Sequence, residues 1–290
     1  MQKQVFVVFS TNRTGSSYIS RVLNNHPNIR MHGELFNLSC FPGEDSFKSY
    51  CEKHNKLVSK LVFRKLVLRL VGRIPWLGTI YSPMARSYLS DLIDNPKHYF
   101  ENNYISTHLN IRKKEWHNHV EKAVGFKLMY QHMKSVSFLR SWFDNQDIKV
   151  IFLKRENLLK QYLSDVTLVA RFKNNYGVAH SDSPITQQKL RLDPNQVIRG
   201  IKIREKIFSE MQDLIQDKPA ITITYESFFQ DQDKTAREIF EFLELPMEKI
   251  HKPAMVKLTN DDLHEVILNY DEIKDALLNT PYGVMLEPGL

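Results

Sequence analysis

Cysteine is nearly absent: the 290 residues contain two, Cys40 and Cys51. That excludes a disulfide scaffold and leaves too few thiolates for a cysteine-rich zinc site. Long apolar runs are also missing. The first, Val5-Phe6-Val7-Val8-Phe9, spans five residues and ends in polar loop residues. It is too short for the core of a signal peptide or for a membrane span. There is no internal repeat and no low-complexity segment. These absences lead us to expect a soluble, cytoplasmic protein of a reducing compartment, or one held peripherally at a membrane.

Acidic residues are missing from one long stretch. Residues 53–90 hold Lys53, Lys56, Lys60, Arg64, Lys65, Arg69, Arg73 and Arg86 and no Asp or Glu. The chain has a net charge of +7, from 40 Lys+Arg against 33 Asp+Glu. Outside that stretch 32 basic residues face 33 acidic ones, so the surplus is local. At 100° per residue the cations of residues 56–74 spread around most of a helix, unlike the single polar face of a membrane-surface helix. They read as long stems snorkelling from a packed helix, either as a plain solvated basic face or beside an anionic substrate channel or acidic lipid. A nucleic-acid role is not expected, because the stretch lacks a recognised binding motif.

What is present is ordinary for a globular chain: 42% hydrophobic and 25% charged residues. Short apolar runs alternate with longer helical patterns, the mark of an α/β protein. Strands are expected at residues 5–9, 29–32, 123–129, 149–153 and 220–224. Helices are expected near 16–25, 133–144, 156–174, 195–216, 232–243 and 261–278. Asp193-Pro194 signals a helix start. Residues 40–119 break the alternation and read as a helical insertion into one domain. Residues 174–192 read as a long loop.

Ligands of open parallel sheets bind outside the carboxyl ends of the strands. After the first expected strand comes Ser10-Thr11-Asn12-Arg13-Thr14-Gly15-Ser16-Ser17, which opens a helix. Such a turn is an anion cradle: free N–H groups and the helix dipole favour a phosphate-like group. The hydroxyls of Thr14, Ser16 and Ser17 add donors, and Arg13 a fixed fork. A nucleoside-triphosphate P-loop requires G-x-x-x-x-G-K-[ST]. Here Ser10 takes the first Gly position, and Ser16 stands where the Lys would follow Gly15. That disfavours a magnesium-nucleotide kinase. Taken alone, the turn is also compatible with a plain Ser/Thr helix cap. A second feature follows the fourth strand: Lys154-Arg155-Glu156-Asn157, with Ser164 nine residues after Arg155. A cation at a strand end and a hydroxyl two and a half helical turns on can meet one phosphate.

This pair of motifs resembles the two nucleotide-binding motifs of the sulfotransferase family. The Arg-Thr-Gly-Ser-Ser form is similar to carbohydrate and bacterial members. His32-Gly33-Glu34-Leu35-Phe36, Val124-Gly125-Phe126-Lys127, Thr224-Tyr225-Glu226-Ser227-Phe228 and Ile267-Leu268-Asn269-Tyr270 add to the likeness. It implies an α/β, P-loop-like three-layer sandwich with a central, mostly parallel sheet of about five strands. It also implies the donor 3′-phosphoadenosine-5′-phosphosulfate (PAPS), released as 3′-phosphoadenosine-5′-phosphate (PAP), and no metal.

In that reading Arg13, Thr14, Gly15, Ser16 and Ser17 hold the 5′-phosphosulfate. Arg155 and Ser164 hold the 3′-phosphate. Arg13 and Lys127 stabilise the leaving phosphate. Glu34 is the expected base, and His132 the second choice. His108 precedes the third strand and is set aside. Phe172 and Tyr176 are positional candidates for stacking on adenine. Tyr225-Glu226 reads as structural, with Glu226 able to orient a cation. The expected acceptor bears a hydroxyl or amine, on a carbohydrate, a lipid-linked glycan or a small natural product, and is anionic or membrane-associated if it meets residues 53–90. Two rival functions are a P-loop-like kinase and a non-catalytic module that binds an anionic polymer or membrane through residues 53–90. The oligomeric state is left open.

Overall fold

The structure is a computed structural model. It describes residues 4–36, 121–135, 139–173, 189–253, 260 and 262–287. The expected insertion at 40–119, with both cysteines, the basic stretch and His108, lies outside the described residues, as does Tyr176.

Five strands form the sheet: β1 (Gln4–Ser10), β2 (Ile29–His32), β3 (Ala123–Met129), β4 (Lys149–Lys154) and β5 (Ala220–Thr224). Their order across the sheet is β2-β3-β1-β4-β5, and the sheet is all-parallel. β2 runs alongside β3 with Ile29 opposite Ala123, and β4 alongside β5 with Lys154 opposite Thr224. All seven residues of β3 are buried, as are Phe6 to Ser10 of β1. Continuous burial is what a strand covered on both faces requires, and it explains the unbroken apolar runs.

The described helices are α1 (Ser16–Asn24), α2 (Tyr130–Ser135), α3 (Leu139–Asp144), α4 (Leu158–Lys173), α5 (Pro194–Ile215), α6 (Tyr225–Gln230), α7 (Gln232–Phe242) and α8 (Tyr270–Leu278). Asp193 caps α5, accepting the N–H of Asn195 at 2.8 Å with Pro194 in the first turn. Two expectations need correction. The helix expected at 133–144 is α2 followed by α3. The helix expected at 261–278 is a 3-10 turn (Leu263–Glu265) and then α8. Asn269 causes the break. Its side-chain amide accepts from Leu192 N–H and donates to Leu192 C=O, both at 2.9 Å, which ties Asn269 down as the N-cap from which α8 begins. A 3-10 segment at Pro281–Leu286 was not expected.

The chain divides into two compact units, and the boundary falls inside β1. The first comprises Met1–Val7 and Pro27–Lys149, the second Val8–His26 and Val150–Leu290. The first unit has an aromatic core in which Phe36, Phe126 and Trp142 meet pairwise at 5.6–6.2 Å. In the second, Phe9 packs on Phe152 and Phe152 on Phe208, at 6.3 and 6.2 Å. Full burial of each such ring contributes roughly 2–3 kcal/mol.

Gly125, in the middle of β3, has no room for a side chain. A Cβ there would lie 2.3 Å from Cζ of Phe6. Gly125→Ala should destabilise the fold by about 1–3 kcal/mol, the cost of overpacking a rigid core. Urea denaturation would show this as a lower midpoint with an unchanged slope.

Candidate active site

In the second unit, β1 ends at Ser10 and α1 begins at Ser16, so five residues make the turn. Two of them are left-handed: Arg13 at φ 63° and Gly15 at φ 82°. Glycine enters that region freely, but a side-chain-bearing residue does so at a cost of about 1–2 kcal/mol. Neighbouring groups hold the turn in this shape. Thr14 is fully buried, and its hydroxyl donates to the Thr11 carbonyl at 2.9 Å. Gln161 of α4 donates to both Thr11 Oγ1 and Asn12 O, each at 2.7 Å. Arg155 Nη1 donates to the Arg13 carbonyl at 3.3 Å. Gly15 is the N-cap of α1 and provides no side-chain hydrogen bond to its first turn.

Arg13 and Ser164 meet directly: Arg13 Nε donates to Ser164 Oγ at 2.8 Å. The serine accepts in this bond, so its own proton is still there to donate to an anionic oxygen. The strand-end cation, Arg155, is buried. Its guanidinium lies over the Tyr225 ring, 4.5 Å from the centroid. A third arginine, Arg171, lies two turns beyond Ser164 on α4 and is also buried. Burial pulls Arg13 below its ordinary pKa; Asp165 opposes this, while Arg171 and Arg155 push the same way. Arg171 is lowered by burial too. Burial raises Asp165, and Arg204, its ion-pair partner, pulls it back. Several cations thus crowd one partly buried locality, and a phosphate dianion is the kind of ligand that relieves both their desolvation and their repulsion. The residues therefore fit a phosphate-bearing ligand.

In the first unit, Glu34, Lys127 and His132 come together. Lys127 lies inside β3, and Glu34 follows β2. Lys127 N–H donates to the Gly33 carbonyl at 3.0 Å, which fixes the strand ends against each other. Lys127 Nζ then donates to Glu34 Oε1 at 2.9 Å. His132, in α2, has Nε2 at 3.8 Å from Glu34 Oε2. The Met129 N–H points at His132 Nδ1 at 3.4 Å, which assigns the ring proton to Nε2, on the side of Glu34. Burial pushes His132 down to about 4; Glu34 opposes this and Lys127 adds to it. The imidazole is neutral at pH 7.

Every residue expected to bind phosphate or act in catalysis lies among the described residues, and they fall into these two groups. Of the candidates for adenine, Phe172 belongs to α4. His32, in β2, is buried. Gln161 and Arg171 were not foreseen. Their signal is the spacing on α4: Gln161 is three residues before Ser164 and Arg171 seven after, all on one helical face. A buried polar stripe on a helix beside the cradle would have marked both. Among the described residues, no group of three or more His, Cys, Asp or Glu is placed to hold a metal ion. No helix among them is long and apolar enough to cross a membrane.

A sequence model described as the sulfotransferase family matches residues 5–249. No curated protein matches the chain. Similar solved structures include a sulfotransferase from Alicyclobacillus acidocaldarius, at 15% identity and a TM-score of 0.45, covering 99% of this chain and 95% of that one. The sulfotransferase STF9 from Mycobacterium avium is similar at 15% identity and a TM-score of 0.41, covering 96% of this chain and 76% of that one. A mouse sulfotransferase in complex with PAP is similar at 11% identity and a TM-score of 0.39, covering 99% and 88%. Family membership rests on the match to residues 5–249.

The depressed His132 pKa has a measurable consequence. Between the ordinary value of 6.5 and about 4, the unfolded chain takes up a proton at this histidine and the folded protein does not. Its contribution to stability is therefore complete above pH 6.5 and is lost as the pH falls toward 4, with a total of roughly 3 kcal/mol. NMR titration should show the His132 ring neutral down to about pH 4. His132→Asn should remove that part of the acid dependence of stability.

Proposed function

We propose, from the premise that this chain belongs to the sulfotransferase family, that it transfers a sulfuryl group from PAPS to a hydroxyl or amine of a carbohydrate, a lipid-linked glycan or a small natural product. PAPS supplies the activated sulfuryl group, and PAP is its leaving group. The observation that carries this reading is the bond from Arg13 to Ser164 at 2.8 Å. It joins the turn after β1 to the motif after β4, as a ligand with two separate phosphates requires.

Thr14, fully buried, would shape the turn through its bond to Thr11, and Arg13, Gly15, Ser16 and Ser17 would hold the 5′-phosphate end. The first-turn N–H groups of α1 meet its charge, and so does the Arg13 guanidinium. Arg155 and Ser164 would hold the 3′-phosphate, with Arg171 adding positive charge. These residues bind and orient charge, which supplies most of the catalysis when a tetrahedral group moves between oxygens.

The same reading makes Glu34 the base. Its carboxylate is partly exposed and so within reach of an acceptor. Lys127 holds one carboxylate oxygen at 2.9 Å, which fixes the other in direction. His132 is the weaker base: its Nδ1 faces the Met129 N–H, and its Nε2 carries the proton. It faces Glu34 as a neutral ring, with Nε2 at 3.8 Å from Oε2. Lys127, beyond holding Glu34, supplies positive charge for the leaving phosphate.

Calorimetric titration with PAP should show binding by the full chain. Arg155→Ala should weaken it by about 30-fold or more, because a charge-assisted contact to phosphate is lost. Wild-type protein that does not bind PAP would remove the proposed donor. With radiolabelled PAPS and a panel of hydroxyl- and amine-bearing acceptors, Glu34→Gln should lower turnover by about 10²–10⁴-fold and leave PAP affinity near wild type.

A further inference from the structure

Arg155 and Tyr225 follow directly on residues that face each other across β4 and β5, since Lys154 pairs with Thr224. Past that pair both chains turn into helix, and the contacts concentrate on Tyr225 and Glu226. Thr224 accepts the N–H of Ser227 at 3.0 Å, and Ser227 Oγ accepts the N–H of Thr224 at 3.3 Å. This reciprocal cap fixes the turn that carries Tyr225 and Glu226. Glu226 Oε2 accepts the N–H of Glu156 at 2.9 Å, and Oε1 accepts the N–H of Asn157 at 3.2 Å. Oε1 also lies 3.8 Å from Arg155 Nε. The Tyr225 ring takes the face of the same guanidinium. The ring also packs on Phe229, 4.4 Å between centroids, and closes on the turn before α1: a Cβ on Gly15 would lie 2.6 Å from Tyr225 Cδ2.

We propose that Tyr225 and Glu226 are positioning residues for the 3′-phosphate. Glu226 sets the strand-end backbone and the Nε edge of Arg155, and Tyr225 sets the plane of its guanidinium against the turn at Gly15. This rests on the PAPS reading above and deepens it. Two effects of Glu226 have opposite sign. A carboxylate near a phosphate repels it, whereas a carboxylate that fixes a guanidinium strengthens bidentate recognition. Ordering outweighs repulsion here. The two N–H bonds disperse the carboxylate charge, and Nε, the guanidinium nitrogen nearest the carboxylate, belongs to the edge turned away from the end of the fork.

The test compares PAP with adenosine 5′-monophosphate, which lacks the 3′-phosphate, by calorimetry on the full chain. Glu226→Gln should weaken PAP about tenfold and change the monophosphate less than about twofold. Tyr225→Leu should weaken both ligands, PAP more, because the ring serves both motifs. Tyr225→Phe keeps the ring and should retain the wild-type preference for PAP over the monophosphate. A purely structural role would weaken the two nucleotides equally, and that result overturns the proposal. So does Glu226→Gln binding PAP as well as or more tightly than wild type, which would mean that repulsion dominates. If Glu226→Gln does not fold, the comparison of Tyr225→Leu with Tyr225→Phe decides. Wild-type protein that fails to bind PAP overturns the nucleotide reading itself, before any variant is measured.

Discussion

The turn between β1 and α1 takes a shape that its own sequence does not favour, and much of the second unit is arranged to hold it there. Arg13 sits at φ 63°, where a residue with a side chain is strained. The compensation comes from α4 and the end of β4. Gln161 binds Thr11 and Asn12, Ser164 takes the Arg13 side chain, and Arg155 takes the Arg13 carbonyl. Strain of this kind persists only where surroundings over-determine it, and it is characteristic of sites that grip a ligand.

The two groups of polar residues rest on different electrostatic principles. Around the turn the side chains are mainly cationic and partly desolvated, so the free protein holds positive charge in excess of local carboxylate. The group at Glu34 is closer to balance, with one carboxylate, one ammonium and a histidine kept neutral by burial. The first arrangement suits a ligand that brings its own negative charge. The second suits a proton transfer, where the base should be directed without being surrounded by charge of one sign.

The sheet was legible because its central strands β3, β1 and β4 are largely buried and read as unbroken apolar runs, such as Val5 to Phe9. The cradle was legible because Gly15 and the hydroxyl residues around it punctuate the chain between strand and helix. Helix ends set by contacts distant in sequence were not legible. Asn269 delays the start of the last helix through Leu192, 77 positions away, and no local pattern reports that. Gln161 escaped notice for a similar reason: a glutamine on a helix is ordinarily solvated, and only its burial beside Thr11 and Asn12 shows that it holds the turn. The pairing of Glu34 with Lys127 likewise depends on strand order, which periodicity does not convey.

The carboxylate of Glu226 occupies the N–H groups of Glu156 and Asn157, where the chain leaves β4 for α4. The main-chain donors at this second strand end are already satisfied from within, whereas α1 begins without a side-chain cap. In the proposed reading an anion would therefore draw more on main chain at the first strand end, beside Arg13, and on side chains alone at the second. Main-chain recognition survives many substitutions, and side-chain recognition survives few. Random mutation should thus be absorbed unevenly by the two loops: hydroxyl residues after β1 can interchange while the guanidinium after β4 cannot.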